Sequence, residues 1–331
     1  MAQRMKHPRH LNRFATLAVI PLVAVGFYIA LQAGSNARGA TFEGSGLLVV
    51  ANLRAESLTF FDYDAGLQHE ITLAGPPHEM VAAGDRLFVT LGRGDAIAQV
   101  SLRTREVERY LVLPGSPHGI ATQGNALYVT LANADQLVVL DIDTLAEQSR
   151  RPTGDTPHAV AVIGSTAIVA NALDNTVAAL GTGDEVRSSG ALPESMAVLD
   201  GRVVASANAG DGSLSLYALP GMTPLGQVEV GGRPVRIVAT GDGLLVADAR
   251  LGRIVALEPA DDGLEVVARV VVGRLADGIC PSPDGRWVAA TANGDNKLVL
   301  IDAERWAPSS ELPTSDGPGA CLWLDRDPAG P

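Results

Sequence analysis

Residues Ser116 to Thr130 read SPHGIATQGNALYVT, and this stretch recurs along the chain. Aligned on its second and third residues, it gives Pro77-His78, Pro117-His118, Pro157-His158, Pro193-Glu194, Pro234-Val235, Ala276-Asp277 and Pro318-Gly319. Successive copies start 40, 40, 36, 41, 42 and 42 residues apart. A second apolar run follows about nine residues after each start, as in LFVT at Leu87, LYVT at Leu127 and LLVA at Leu244. A third run follows a Gly/Asn/Asp turn, and a fourth ends near the next glycine. Four short runs per unit with turn residues between them read as a four-stranded antiparallel blade. Units of about 40 residues of this kind predict a β-propeller.

The count of runs sets the closure. Gly46-Leu47-Leu48-Val49-Val50-Ala51 is a second strand that precedes every first strand, and the last first strand, Gly319-Ala320-Cys321-Leu322, lacks successors. The sequence therefore predicts an all-β, seven-bladed β-propeller of four-stranded antiparallel blades. Three N-terminal strands and one C-terminal strand share its closing blade, which covers edges otherwise left open. The propeller spans 45–325, with a tail at 326–331.

LYVT followed by ANADQLVVLDIDT resembles the YVTN-repeat β-propeller family over 45–325. The resemblance implies an exported protein; relatives include archaeal surface-layer propellers and virginiamycin B lyase-like enzymes, which use a propeller-mouth histidine with a metal. One fold hosts many functions, so the chemistry does not follow from the likeness. Ala167-Ile168-Val169-Ala170 lacks the tyrosine, and Pro193-Glu194 lacks the histidine.

Ahead of the repeats, a basic flank at 1–13 (Arg4, Lys6, Arg9, Arg13) precedes twenty uncharged residues, Phe14 to Ala33. That length spans one hydrocarbon core as a helix. It predicts a single transmembrane signal anchor over 14–33, with a removed signal peptide as the alternative, and a linker at 34–44. Either puts the flank in the cytoplasm and the propeller in the periplasm or outside the cell.

The 331-residue chain carries a formal charge of -12; its first 44 residues hold five basic and one acidic, leaving 20 basic against 36 acidic, or -16, beyond. Nucleic acid is thereby disfavoured as a partner. A protein or small-molecule ligand and a monomeric propeller are expected. The recurring Asp95, Asp135, Asp174, Asp211 and Asp295 sit where tight turns are needed, each in a different blade, and read as turn residues.

The third residue of the motif stands apart, since a purely apolar repeat would not demand His78, His118, His158, Glu194 and Asp277 there. Equivalent positions of a propeller ring one mouth of its channel, with neighbours about 6 Å apart. Three imidazoles and carboxylates form an ordinary set for zinc or copper. The competing reading is an inherited motif in which each imidazole bonds the next blade's backbone. Glu79 and Arg236, one place on, are candidate ligand contacts or acid–base groups. No nucleophile elbow, Walker sequence or CxxCH motif occurs, and Gly181-Thr182-Gly183-Asp184 is too short for a dinucleotide loop. The expected role is a binding or scaffolding platform. The alternatives are a metal-dependent lyase or lactonase-like enzyme and a metal-binding accessory of a periplasmic redox system. Cys280 and Cys321, the sole cysteines, fall on neighbouring innermost strands, where export permits a disulfide.

Overall fold

The computed structural model describes residues 44–325 except 182, 242 and 261–262. The segments assigned above to a flank, a signal anchor, most of the linker and the tail lie outside the described residues. Among those described, no helix is long and apolar enough to cross a membrane.

The described chain forms seven four-stranded antiparallel sheets. We number the blades by their innermost strands: Met80–Ala83 (blade 1), Pro117–Gln123 (2), Pro157–Ile163 (3), Pro193–Leu199 (4), Pro234–Thr240 (5), Ala276–Pro281 (6) and Pro318–Leu324 (7). Blade 7 is the seam: its C-terminal inner strand pairs with Leu47–Asn52, followed outward by Ser57–Asp62 and Leu67–Thr72. The ring thus closes by antiparallel pairing between the two ends of the repeat array, with Leu48 opposite Trp323, Val49 opposite Leu322 and Val50 opposite Cys321.

The core lies between blades. Seven clusters of buried apolar side chains are present among the described residues, one at each junction. Large residues of one blade share a cluster with small ones of the next. Met80 packs with Ala51 and Ala320, and Ile237 with Ala197, Ala205 and Ala207. Close packing of unequal partners is what makes a junction specific. The second and third strands carry most of this burial, while outer strands such as Glu147–Pro152 are mainly exposed.

The threonine of the LYVT run has a defined task. Thr130 Oγ1 accepts from Gly119 N at 2.8 Å and lies 3.3 Å from the His158 carbonyl of the next blade. Thr90 bridges Glu79 N and the His118 carbonyl, and Thr291 bridges Gly278 N and the Gly319 carbonyl. One hydroxyl therefore satisfies an inner-strand amide and ties two blades together. Thr130→Val keeps the shape but strips the Gly119 amide of its buried partner, so we expect about 1–3 kcal/mol of destabilisation. Urea denaturation of the variant against the wild type measures it.

The acidic turn residues do more than shape their own turns. Asp95 Oδ1 accepts from Gly115 N and Ser116 N, Asp135 from Thr156 N, Asp174 from Asp155 N, Asp211 from Ala191 N and Asp295 from Arg274 N. Each acid clamps a loop leading into an inner strand. Asp95 and Asp135 hold left-handed φ of 47° and 53°, which Asp tolerates better than most residues.

Candidate functional site: the channel mouth

A register shift falls at the motif's third residue in blades 2 to 6, for instance between Pro157 and Ala159 and between Pro234 and Arg236. Blade 1 reaches the same place before its strand begins, at His78 and Glu79. A bulge leaves a residue unpaired and re-aims its side chain. Here it sets the ring of residues that the sequence singles out.

The structure brings the three imidazoles into a stack. Ring centroids are 3.6 Å apart for His78–His118 and 3.7 Å for His118–His158, each tilted by 48°. This is tighter than the ring spacing read from sequence. His118 Nδ1 donates to the His158 carbonyl at 3.0 Å, and His158 Nδ1 donates to the Glu194 carbonyl at 2.6 Å. A carbonyl only accepts, so both rings carry their proton on Nδ1 and leave Nε2 as a lone pair. His78 breaks the series. Its buried Nδ1 has no hydrogen-bond partner among the described residues and lies 3.6 Å from Glu79 Oε1.

The carboxylates are engaged elsewhere. Glu194 pairs with Arg233 at 2.9 Å, and Asp277 with Arg236 at 3.3 Å. Arg236 also reaches Glu79 at 2.8 Å, although 157 residues separate them. Among the described residues, no three His, Cys, Asp or Glu side chains are grouped so as to hold a metal ion. Of the five ring residues expected as ligands, His118 and His158 turn Nδ1 to carbonyls, and Glu194 and Asp277 each pair one oxygen with a guanidinium group.

Burial sets the protonation states. Desolvation, then repulsion from His78, pushes His158 down to about 4; desolvation together with both neighbouring histidines holds His118 well below the ordinary imidazole value of 6.5. For Glu79, burial alone would raise the carboxyl, but the Arg236 charge and the contacts of His78 and Arg236 hold it well below the usual carboxylate range. Arg236 shows the mirror image: desolvation is outweighed by Glu79 and Asp277, and the guanidinium is raised. A histidine with a depressed folded pKa gives stability that is full above 6.5 and lost as pH falls towards its folded value. We expect unfolding free energy to fall between about pH 6.5 and 4, by at most about 1.4 kcal/mol per pH unit for each of His118 and His158. His158→Gln should flatten that slope, as denaturant titrations across this range will show.

The Glu79–Arg236 pair partitions the channel. A cavity of about 310 Å³ lies on one side, bordered by His78, Arg233, Asp277 and Asn293. A second of about 300 Å³ lies on the other, bordered by Met80, Ile120, Met196 and Trp323. Glu79, His158, Glu194 and Arg236 border both. Every inner strand has only one sheet neighbour, so its other edge is open. The sulfurs of Cys280 and Cys321 are joined beside the second cavity, with Cα atoms 5.8 Å apart.

Arg233 is a site residue that the sequence reading passed over. Its signal was weak: one arginine before a motif proline. The Glu79–Arg236 crossing has no sequence signal, because only ring closure sets blade 5 opposite blade 1.

No family model matches this chain, and no curated protein sequence matches it. Solved structures do. A protein of unknown function from Desulfotomaculum acetoxidans superimposes with a TM-score of 0.75 at 16% identity, over 86% of this chain and 100% of that one. A candidate 6-phosphogluconolactonase from Bacteroides fragilis follows at 0.71 and 12%, over 85% and 98%. Hydrazine synthase of Kuenenia stuttgartiensis gives 0.67 at 19%, over 76% and 90%. The chain is a seven-bladed propeller. At such identities the likeness establishes the fold and leaves the chemistry to the site.

Proposed function

We propose that this chain is an exported, membrane-anchored propeller of the YVTN-repeat type. In this reading it acts as a binding platform rather than an enzyme and takes a small ligand in its central channel. The observation that carries the reading is the pair of cavities meeting at the Glu79–Arg236 partition. Ionised groups there are fixed by mutual pairing and border open space from both sides. Such a constellation orients a ligand. Among the described residues there, no Ser or Cys is hydrogen-bonded to a base, the pairing that acyl transfer through an activated nucleophile would use.

The test is a fragment screen by ligand-observed NMR on the full-length protein and on Val235→Trp, which places an indole in the first cavity. Hits that bind the wild type and are lost in the variant support the channel. Hits that bind both equally, or no hits, count against it. Elemental analysis supplies the second arm. We expect well below one equivalent of zinc or copper per chain. A stoichiometric metal that disappears in His118→Ala/His158→Ala would replace the platform by a metal-dependent protein.

A further inference from the structure

Within the platform reading, on which this step rests, the chemistry at the partition selects the ligand's charge. We infer that the channel takes a small hydrophilic organic cation bearing primary ammonium groups, held across the Glu79–Arg236 partition.

The charges around the partition do not balance. Glu79, Glu194 and Asp277 face Arg233 and Arg236, three carboxylates to two guanidinium groups. Arg236 is shared between Glu79 and Asp277, and Arg233, which compensates Glu194, is half exposed at 52%. A carboxylate short of a partner in a confined space favours a cation.

The unspent hydrogen-bonding groups point the same way, because they are acceptors. Glu194 binds Arg233 through Oε1, and its Oε2 has no partner among the described residues. Asp277 uses Oδ1 for Arg236, and its Oδ2 is likewise unpartnered. His158, with Nδ1 committed to the Glu194 carbonyl, leaves the Nε2 lone pair and borders both cavities. Burial keeps that ring neutral at neutral pH, so it remains an acceptor.

These acceptors are dispersed, and dispersion decides between cation classes. A metal ion needs its ligands at about 2.0–2.6 Å from one point, an arrangement absent among the described residues. An ammonium group carries three N–H donors that reach separate acceptors at about 2.7–2.9 Å. Two cavities of about 300 and 310 Å³, one on each side of the partition, suit a short linear diamine with one head in each. The net charge of -16 beyond residue 44 raises the local concentration of any cation.

The test uses three four-carbon probes of matched length: 1,4-diaminobutane, 1,4-butanediol and succinate. Each is titrated calorimetrically into the full-length protein at neutral pH and low salt. We expect one diamine per chain, at least tenfold tighter than the diol, and no succinate binding. Glu194→Gln and Asp277→Asn, which keep the side-chain shapes, should each weaken the diamine by about tenfold. Diamine affinity unchanged in both variants would mean diffuse surface attraction and would overturn the inference. Succinate binding that Val235→Trp abolishes would also overturn it while leaving the channel platform standing. If none of the probes binds, the cation inference falls, and the fragment screen decides the platform reading separately.

Discussion

Arg236→Met is expected to destabilise the propeller by about 3 kcal/mol at neutral pH. The guanidinium is 15% exposed and faces two carboxylates, Glu79 at 23% and Asp277 at 32%. Methionine preserves much of the side chain's length and volume, so the loss reflects charge left without a partner rather than a void. Breaking a fully buried pair costs about 3–5 kcal/mol, and the partial exposure of Asp277 places this case at the lower end. Adding Glu79→Gln to the variant should recover part of the loss, because it removes the stranded charge. The pH dependence gives a second check. In the wild type the depressed Glu79 carboxyl contributes stability that is present above the ordinary value of 4.5 and lost as pH falls through its folded value. In Arg236→Met, burial, the largest influence on that carboxyl, is opposed only by the contact with His78 and raises it, so the native state takes up a proton before the unfolded chain does. The deficit should therefore be largest near neutral pH and shrink towards pH 4.5. Guanidinium denaturation at pH 7.5 and pH 5 measures both. A deficit that grows with acidity would sink the account of Glu79 as the stranded partner.

The second large effect concerns the seam. Cys280 belongs to blade 6 and Cys321 to the C-terminal strand of blade 7, with 41 residues of separation between them. Their bond ties the closing strand to the preceding blade at a junction whose core includes Ala289, Leu298, Val50 and Trp323. For a loop of this length the chain-entropy relation gives about 4 kcal/mol of stabilisation. The Cys280→Ala/Cys321→Ala variant should lose about 3–4 kcal/mol. The Cα separation of 5.8 Å falls within the range of about 4.4–6.8 Å that a bridge spans. Wild-type protein unfolded with and without dithiothreitol, beside the double variant, is the measurement. Equal midpoints in all three samples would show that the ring closes without this link.

Much of the fold is legible in one recurring stretch. Each unit carries its own strand lengths, turn residues and apolar alternation, and these are local properties of adjacent residues. Counting units gave seven, and the leading strand without a predecessor gave the seam, which appears as Leu47–Asn52 paired with Pro318–Leu324. The recurring threonine of LFVT and LYVT was visible as well, but its partners were not: it bonds a carbonyl one blade away, across about 28 residues.

The sequence by itself determined which residues stand at the channel mouth, because equivalence within a repeat is equivalence of position. It placed His78, His118, His158, Glu194 and Asp277 on one ring and Glu79 and Arg236 beside it. The tertiary structure alone decided what their polar atoms face. Direction depends on the bulge at each inner strand and on the neighbouring blade's backbone, neither of which follows from residue type. Thus two histidines turn their Nδ1 atoms to carbonyls, and Arg236 crosses the ring to Glu79. The mouth is consequently a partitioned, ion-paired channel with acceptors left over, where residue types alone had left open a metal centre and an inherited motif bonded to the next blade's backbone.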